Sequence, residues 1–344
     1  MEKITLGRTG LTVTKMALGG IPLSTVMSGN TEEEIEKVIT AALDAGINLI
    51  DTSRVYLDSE TNIGKVLEKR KGICSLATKT FNRGYDEILS DIEDSLKELK
   101  VDRVEIYQAH EVKKEDIPLL LKKGGGLDAF KKAKERGLIR FIGVTSHHLD
   151  CLIELMKTRE FDTVMFPYNV VERDAEKELI PLARKMNMGT LVMKPLAGGA
   201  LRHIESAFRF LHTYPVDVIL TGMSSVSELQ ENLAIMERAR PLSPDELKRF
   251  EEEVAPLGKM FCRRCGYCLP CPNDIRIPEM IQMLYQSMQG LSYEEIPERR
   301  KKMGQALLIW YEACDECGEC EKKCPYQLPI IERKKALVEI FSKV

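Results

Sequence analysis

The hydrophobic residues of this chain form eight short runs, and amphipathic segments separate most of these runs. The runs are nearly continuous rather than alternating, which is typical of parallel strands that are buried on both faces. A hairpin-like segment, KITLGRTGLTVT, comes before the first run. The pattern therefore predicts a hairpin followed by eight strands, which read KMALGG, INLIDTS, ICSLATKT, RVEIYQAH, RFIGVTSH, TVMFPYN, TLVMKP and VILTGM.

The amphipathic segments between the strands carry helix signals. In NTEEEIEKVITAALDAG, Asn30 or Thr31 can cap the helix, glutamates occupy its first turn and Gly46 ends it. Eight strand–helix units in about 240 residues predict a (β/α)8 barrel, with an open doubly wound sheet as the alternative. No Gly-x-Gly-x-x-Gly follows the first strand, where the chain reads LGGIPLS, and this disfavours the doubly wound dinucleotide fold.

A change of character near residues 240–260 predicts a domain boundary. Pro241 and Pro244 precede one last helix, and a cysteine-rich segment begins after it. Two helical stretches, PEMIQMLYQSMQ and PERRKKMGQALLIWYEA, separate two cysteine runs in that segment. We therefore expect a barrel domain over residues 1–257 and a small helical domain over residues 258–344.

Composition and charge are those of an ordinary globular protein. The 344 residues are 44% hydrophobic and 30% charged, which is enough for a sizeable core. A net charge of −3 and a pI near 6.1 give no attraction to nucleic acid or to an anionic membrane. The start of the chain lacks the apolar core of a secretory signal, and no apolar run approaches the roughly 18 residues that span a bilayer. We expect a cytoplasmic protein that acts on a small molecule.

Four polar residues follow three successive predicted strands. Asp51 ends INLID, Tyr56 lies five residues further on, Lys79 ends LATK and His110 ends IYQAH. In a (β/α)8 enzyme the active site forms at the carboxyl ends of the strands, so these side chains can converge. A nearby Lys⁺ favours tyrosinate and so eases proton donation by Tyr56, while Asp51 keeps that lysine charged. The group, with His110 orienting a substrate oxygen, predicts protonation of a carbonyl oxygen while a hydride reaches its carbon.

Six motifs, in this order, resemble the aldo-keto reductase superfamily over about residues 1–257: INLIDTSRVY, LATKT, IYQAH, RFIGVTSH, VMKPLAGG and SSVSELQEN. The resemblance implies NAD(P)H-dependent reduction of an aldehyde or ketone, or the reverse oxidation. It implies that Asp51, Tyr56, Lys79 and His110 form the catalytic tetrad, with Tyr56 as the proton donor. From the nicotinamide amide through the pyrophosphate to the adenosine end, it implies cofactor contacts by Thr145, Ser146, Lys194, Pro195, Leu196, Gly198, Gly199, Gly222, Ser224, Ser225, Glu231 and Asn232.

The adenosine segment leaves the choice between NADH and NADPH open. Members of the family that use NADPH place a Lys or Arg near its start to pair with the 2′-phosphate. Here GMSSVSELQEN offers serines and Glu228 but no basic residue. A carboxylate tolerates a ribose hydroxyl better than a phosphate, so these residues favour NADH whereas the family resemblance favours NADPH. Two further departures from the family are Met165 and Met193, where many members place glutamine and tyrosine against the nicotinamide.

Eight of the ten cysteines lie in two runs near the carboxyl terminus. The second run has the Cys-x2-Cys-x2-Cys-x3-Cys-Pro spacing of bacterial ferredoxins, and the first is one residue shorter before its last cysteine. In that arrangement the last cysteine of each run ligates the cluster of the other run. This predicts two 4Fe–4S clusters, one on Cys262, Cys265, Cys268 and Cys324 and the other on Cys314, Cys317, Cys320 and Cys271. Four-cysteine zinc sites are the main alternative, and disulfides or free thiols the other.

The two runs, with helices between them, resemble helical two-cluster ferredoxin modules, and a subset of aldo-keto reductases carry such a tail. A nicotinamide passes two electrons as one hydride, whereas a 4Fe–4S cluster passes one electron at a time. Coupling the two normally needs a mediator such as a flavin, and no flavin motif is visible. Three hypotheses follow: structural or redox-sensing clusters beside an ordinary carbonyl reductase, an electron relay with a ferredoxin-like partner, or a non-catalytic partner subunit.

A few other reactive side chains are predicted to have structural roles. Cys74 and Cys151 are isolated in apolar runs, where a free cysteine usually behaves as a small packing residue. His147 and His148 follow a strand side by side, so one of them must point away from the barrel mouth. We expect both to be ordinary loop residues, with substrate contact as the alternative for each.

Overall fold

A computed structural model describes residues 1–70, 72–258, 260–281, 293–294, 296 and 298–342. They form two compact units. The first unit comprises Met1–Asn169, Arg173–Pro195 and Ile204–Leu242, and the second comprises Val170–Glu172, Leu196–His203 and the described residues from Ser243 onward. The last helix before the cysteines thus belongs to the second unit, whereas the sequence assigns it to the barrel. The domain boundary at 257/258 stays a prediction.

The first unit is the closed barrel of eight parallel strands that the sequence predicts. Each strand pairs with the next along the chain, and the last closes on the first, with Ile219 opposite Met16. After the hairpin strands Lys3–Thr5 (β1) and Thr12–Thr14 (β2), the barrel strands are Met16–Gly19 (β3), Leu49–Asp51 (β4), Ser75–Thr80 (β5), Val104–Ala109 (β6), Ile139–Thr145 (β7), Thr163–Pro167 (β8), Gly189–Met193 (β9) and Val218–Gly222 (β10).

The amino-terminal hairpin closes one end of the barrel. Its Leu6, Leu11 and Val13 are buried in one cluster with residues of the barrel strands, including Leu49, Ala77, Ile106 and Leu191. Gly7 (φ +45°) lies so close to the start of β9 that an added Cβ would be 2.3 Å from the backbone nitrogen of Gly189. Because the hairpin meets β9 at its first residue, the opposite end, where the strands finish, is left for the candidate site.

Helices alternate with the strands around the barrel. Thr31 caps the first long helix, because its hydroxyl accepts from the Glu34 N–H while the Glu34 carboxylate accepts from the Thr31 N–H. The cap is therefore Thr31 rather than Asn30. The α-helices of this unit are Thr25–Ser28, Glu32–Asp44, Ser59–Lys69, Tyr85–Leu99, Ile117–Leu121, Gly126–Glu135, Leu149–Lys157, Leu179–Lys185, Ile204–Thr213 and Val226–Arg238, with 3-10 turns at Gly7–Thr9, Ile21–Leu23, Lys114–Asp116 and Asp174–Glu176.

The second unit is helical. The predicted stretch PERRKKMGQALLIWYEA is helical over Glu298–Glu312. In PEMIQMLYQSMQ, the structure has a helix over Ile277–Met280, and the part from residue 282 onward lies outside the described residues. The remaining elements are the helices Pro244–Gly258, Glu319–Lys323 and Ile330–Phe341 and a 3-10 turn at Ala197–Gly199.

The second unit has a hydrophobic core of its own. Tyr311, Leu337 and Phe341 are fully buried in it, together with Ile281 and Ile296. Several of the predicted cluster cysteines pack against the same core, which places the cysteine runs against apolar side chains rather than on a free-standing loop.

No described helix is long and apolar enough to cross a membrane. The cytoplasmic location inferred from the sequence stays a prediction.

Candidate functional site

The four predicted catalytic residues lie together at the carboxyl ends of β4, β5 and β6. Asp51 is the last residue of β4, Lys79 is in β5 and His110 directly follows β6. Tyr56 is in the loop between β4 and the next helix, and it is half-buried. The other three side chains are almost completely buried. Neighbouring strands therefore bring into one place residues that are 59 positions apart in the sequence (110 − 51).

Asp51 and Lys79 form a buried ion pair. The Lys79 ammonium donates to Asp51 Oδ2 at 2.5 Å and to the carbonyl oxygen of Thr52 at 2.6 Å. The other carboxylate oxygen of Asp51 accepts from the side-chain amide of Gln108 at 3.0 Å. Burial raises the pKa of Asp51 and lowers the pKa of Lys79, and the contact between the two groups opposes both shifts. The pair therefore holds the ammonium at a defined point under the barrel mouth.

Tyr56 lies next to both Lys79 and His110. The Lys79 Nζ atom is 5.0 Å from the centre of the Tyr56 ring, which is within the range of a cation–π contact. The His110 ring meets the Tyr56 ring edge-on, with 5.9 Å between the ring centres. The phenol ring thus has both a buried positive charge and an imidazole next to it.

His110 is a neutral imidazole held between two side chains that the sequence reasoning missed. Its Nδ1 atom lies 3.0 Å from the Ser53 hydroxyl, and the Phe81 ring stacks on it at 4.3 Å. Burial, and then the charge of Lys79, hold the pKa of His110 well below its usual value of 6.5. Ser53 follows Asp51 by two positions and Phe81 follows Lys79 by two. Both residues lie beyond the ends of β4 and β5, where the two-residue period of a strand no longer fixes the direction of a side chain, so this signal made them candidates without identifying them.

The loop that carries Tyr56 is anchored by Arg54. Its backbone N–H donates to the Lys79 carbonyl oxygen at 3.1 Å. Its guanidinium contacts the buried carboxylate of Glu60 at 2.5 Å and that of Glu98 at 3.0 Å. Arg54 therefore ties the Tyr56 loop to two helices, which limits the movement of the phenol.

Of the two histidines after β7, His147 is the one held at this end of the barrel. Its Nδ1 atom pairs with the carboxylate of Glu111, the residue that directly follows His110, and its side chain is 7% exposed. His148 begins the turn into the next helix, where its N–H donates to the Ser146 hydroxyl at 2.9 Å. The structure thus separates the two residues that the sequence left equivalent.

The predicted cofactor residues of the first unit lie at the ends of β7, β9 and β10. Thr145 and Ser146 are buried at the end of β7, and the Ser146 hydroxyl donates to the Val112 carbonyl oxygen at 2.7 Å. Lys194 follows β9 with a left-handed backbone, φ +57°. The remaining predicted residues of this unit directly follow β9 or lie at and after the end of β10, namely Pro195, Gly222, Ser224, Ser225, Glu231 and Asn232. Leu196, Gly198 and Gly199 belong to the second unit.

The turn after β10 has a negative charge at its centre. Ser225 caps the helix Val226–Arg238, because its hydroxyl accepts from the Glu228 N–H at 3.1 Å. The Glu228 carboxylate in return accepts from the Ser224 N–H at 2.6 Å. The side-chain amide of Asn30 donates to the Ser224 carbonyl oxygen at 2.6 Å. The turn at Ser224 and Ser225, which could face the adenosine end of a cofactor, is therefore held by a carboxylate rather than by a basic side chain.

In the second unit, each predicted set of four cysteines lines one cavity. The first cavity has about 360 Å³ of empty space, including space open to solvent, and its cysteines are Cys262, Cys265, Cys268 and Cys324. The second has about 470 Å³ on the same measure, and its cysteines are Cys268, Cys271, Cys314, Cys317 and Cys320. Thus the structure brings Cys324 to the first run and Cys271 to the second, and Cys268 lines both cavities.

The two cysteine runs share one backbone conformation. In each run the residue just before the second cysteine is left-handed, Arg264 (φ +58°) in the first run and Glu316 (φ +59°) in the second. The residue just after that cysteine is a left-handed glycine, Gly266 (φ +74°) or Gly318 (φ +77°). Both runs read Cys-x-x-Cys-Gly-x-Cys, so the shared glycine is visible in the sequence, whereas the left-handed residue before the second cysteine is not.

The donor set of each cavity fits an iron–sulfur cluster. Such clusters are held by four cysteine thiolates. All ten cysteines are free, so the runs are not disulfide-linked. Thiols that surround a cavity, rather than meet at a point, fit an iron–sulfur cube.

Comparison with known proteins agrees with both parts of this description. An aldo/keto reductase family profile matches residues 15–206, which is more than half of the chain, and a 4Fe-4S dicluster domain profile matches residues 261–329. Aldo-keto reductase YhdN of Bacillus subtilis (strain 168) is 30% identical over 216 residues, which cover 58% of this chain and 64% of that relative. The NADH-specific methylglyoxal reductase of Escherichia coli (strain K12) is 29% identical over 229 residues, which cover 58% of this chain and 69% of that relative.

The solved structures show the same architecture. The holo form of aldo-keto reductase AKR11C1 from Bacillus halodurans superposes with a TM-score of 0.64 at 24% sequence identity. The superposition covers 73% of this chain and 96% of that protein. The barrel, the family match and the cysteine domain confirm the resemblance read from the sequence. The chain therefore belongs to the aldo/keto reductase family of oxidoreductases, and it carries a 4Fe-4S dicluster domain in its carboxyl-terminal part.

Proposed function

We propose that this protein reduces an aldehyde or ketone with NAD(P)H, or catalyses the reverse oxidation, at the carboxyl end of its barrel. The observation that carries the proposal is the group formed by the buried Asp51–Lys79 pair, the adjacent Tyr56 ring and the neutral His110. The ends of three successive strands and the loop after β4 place Lys79 next to both Asp51 and Tyr56, and the Tyr56 ring next to that of His110. Their chemistry matches the protonation of a carbonyl oxygen.

In this proposal Tyr56 gives its proton to the substrate oxygen. A tyrosine alone is a poor acid at neutral pH, with a reference pKa of about 10. The Lys79 charge beside the ring stabilises the tyrosinate that remains after proton transfer, and Asp51 keeps this charge in place. His110, with its Nδ1 atom held by Ser53, presents its other ring nitrogen to the oxygen. A nicotinamide cofactor bound at the ends of β7, β9 and β10 supplies the hydride.

The turn after β10 supports NADH as the preferred cofactor. A 2′-phosphate at this turn would meet the Glu228 carboxylate, which already occupies the Ser224 N–H at 2.6 Å. A phosphate beside a carboxylate is repelled, whereas a ribose hydroxyl can donate to a carboxylate. The Escherichia coli relative named an NADH-specific methylglyoxal reductase supports the same preference.

We also propose that the second unit binds two 4Fe–4S clusters with crossed ligation. Cys262, Cys265, Cys268 and Cys324 would hold one cluster, and Cys314, Cys317, Cys320 and Cys271 the other. Support comes from the two cavities, each lined by one of these sets. Bound clusters would supply one-electron transfer, which the barrel chemistry does not need.

Tyr56→Phe tests the proposed reaction. The variant keeps the ring beside Lys79 but has no proton to donate, so turnover of a carbonyl substrate should be abolished. NADH binding, followed by fluorescence titration, should stay within about twofold of wild type because the phenol hydroxyl is not among the proposed cofactor contacts. The wild-type protein is first assayed against a panel of aldehydes and ketones. A variant that still turns over the best of these substrates contradicts the role of Tyr56.

A second candidate function is electron exchange with a ferredoxin-like partner. The observation in its favour is that Cys317, in the proposed second ligand set, is exposed, while Cys268 lines both cavities. An electron could thus reach one cluster from outside and continue to the other. Anaerobically purified protein, with its iron and sulfide counted, should be reduced by a reduced ferredoxin in a stopped-flow experiment. No reduction on that time scale would rule out this exchange and leave the clusters structural.

A further inference from the structure

A buried serine lies directly behind His110. Ser53 is fully buried, and its Oγ atom is 3.0 Å from Nδ1 of His110. The same hydroxyl is 3.1 Å from the carbonyl oxygen of Lys79. A serine hydroxyl has one proton to donate. Ser53 therefore has two acceptors within reach and can serve only one of them at a time.

The neutral state of His110 makes this choice important. A neutral imidazole carries its proton on one ring nitrogen and accepts at the other. If Ser53 donates to Nδ1, the ring proton is on Nε2. If Nδ1 carries the proton and donates to Ser53, then Nε2 has a lone pair. The single hydroxyl proton of Ser53 thus decides whether Nε2 is a donor or an acceptor.

The backbone near Lys79 allows Ser53 to donate to Nδ1. The Lys79 carbonyl oxygen already accepts from the Arg54 N–H at 3.1 Å. This oxygen is therefore satisfied without Ser53. Within the part of the chain that the structure describes, Nδ1 of His110 has no hydrogen-bond partner other than Ser53. Donation by Ser53 to Nδ1 thus leaves neither group without a partner.

We propose that Ser53 is a positioning residue that donates to Nδ1 of His110 and thereby keeps the ring proton on Nε2. The Nε2–H group is then the donor for the carbonyl oxygen of the substrate, which can only accept a hydrogen bond. In the other tautomer the Nε2 lone pair would face the lone pairs of that oxygen and repel them. The choice between the two tautomers rests on the proposed carbonyl reduction, because the substrate oxygen needs a donor, whereas the contact between Ser53 and His110 does not depend on it.

The test compares Ser53→Ala with a matched control, Ser95→Ala. Ser95 is also fully buried, and its hydroxyl makes one hydrogen bond of 3.0 Å, to the hydroxyl of Tyr107, away from the tetrad. Nitrogen-15 NMR of the histidine rings of the holoprotein at pH 7 reports which nitrogen carries the proton. We expect the Nε2–H tautomer of His110 in the wild type and in Ser95→Ala, and a mixture or the Nδ1–H tautomer in Ser53→Ala.

Kinetics give the second readout. In Ser53→Ala, kcat/KM for the carbonyl substrate should fall about tenfold, which is the effect of losing one hydrogen bond in the transition state. The dissociation constant for NADH should not change, since Ser53 is not among the proposed cofactor contacts. Ser53→Thr keeps a hydroxyl and should restore both the tautomer and most of the rate. Ser95→Ala should behave as the wild type in kcat/KM.

Two results would overturn the inference. One is a wild-type His110 with its proton on Nδ1, and the other is a Ser53→Ala protein whose tautomer and rate match those of Ser95→Ala. A wild type that has the Nε2–H tautomer and loses it in Ser53→Ala, but reduces no carbonyl compound, supports the hydrogen bond and overturns the proposed function instead. The two failures are therefore distinguishable.

Discussion

Replacing Asp51 by asparagine should destabilise the barrel far more than an ordinary change of charge. Asparagine has nearly the same size as aspartate, so the packing is retained and only the charge is lost. The Lys79 side chain is 1% exposed, and in the variant its ammonium keeps the Thr52 carbonyl oxygen at 2.6 Å as an uncharged partner. A buried ammonium would then lack the negative charge that offsets its burial.

The expected cost is about 3–5 kcal/mol, the usual penalty for removing one partner of a buried ion pair. An exposed pair provides the matched control. Lys37 and Glu33 are 2.7 Å apart, with side chains 62% and 78% exposed, so Glu33→Gln should leave the stability nearly unchanged. The buried change should thus be far more costly than the exposed one, although both remove a single carboxylate charge.

The cost should also depend on pH. Asp51 is the main group that opposes the burial-induced fall in the pKa of Lys79, so its neutralisation lowers that pKa further. Between the lowered pKa of Lys79 in the folded variant and the pKa of a lysine in the unfolded chain, about 10.4, the unfolded chain then binds more protons than the folded one. The free energy of unfolding of Asp51→Asn therefore rises with pH, and its loss of stability relative to the wild type should be smaller at pH 9 than at pH 6.

Hydrogen-exchange mass spectrometry measures this cost in the barrel itself. Peptides that cover β4 to β6 report the free energy of barrel unfolding in the wild type, Asp51→Asn, Glu33→Gln and the double variant Asp51→Asn/Lys79→Met. The double variant should recover much of the loss, because no unpaired charge remains. If Asp51→Asn costs no more than Glu33→Gln, or if the double variant is the least stable of the set, the reasoning about the buried pair is refuted.

Three other predictions follow from the site. First, His110 should not titrate between pH 6 and 8, because burial and the Lys79 charge lower its pKa. A step near pH 6.5 in kcat/KM that disappears in His110→Gln would contradict the assignment. Because the pKa is lower in the folded protein, the unfolded chain binds more protons as pH falls below about 6.5, and the protein loses stability there. Second, Glu228→Gln should tighten NADPH binding about fivefold, roughly 1 kcal/mol, in fluorescence titrations and leave NADH binding unchanged. Glu237→Gln on the same helix is the control, and equal effects on both cofactors would contradict the role of Glu228. Third, Cys324→Ser and Cys271→Ser should each lower the iron content and remove a different one of two cluster signals in electron paramagnetic resonance, whereas Cys74→Ser should remove none; loss of the same signal in both variants would contradict crossed ligation.

The elements of the barrel could be predicted because their signals are local. A strand buried on both faces must be apolar throughout, so each of the eight runs identifies its strand without any knowledge of its neighbours. The cap at Thr31 is equally local, since donor and acceptor are three residues apart. Asp51, Lys79 and His110 could be grouped because parallel strands in a barrel all end on the same side. That rule turns positions in the sequence into positions in space.

The partners of these residues could not be ranked from the chain alone. Ser53 and Phe81 occupy positions at which a strand-end residue can face the site or the surrounding helices. Only the closed barrel shows that they contact His110 at 3.0 Å and 4.3 Å. Likewise, Glu228 reads as one of several exposed glutamates until its carboxylate is seen to accept from the Ser224 N–H.

The cysteine runs show the same difference between what the sequence predicts and what only the folded structure reveals. Their spacing predicts a cluster cofactor, and the ferredoxin pattern predicts which cysteine crosses to the other run, because in that pattern the last cysteine of each run ligates the other cluster. That each set lines its own cavity depends on chain segments about fifty residues apart coming together. Residue types and their spacing therefore specify which chemistry is possible. Which side chains share a hydrogen bond, and hence which proton or charge lies at the reacting atom, depends on long-range packing and is visible only in the folded structure.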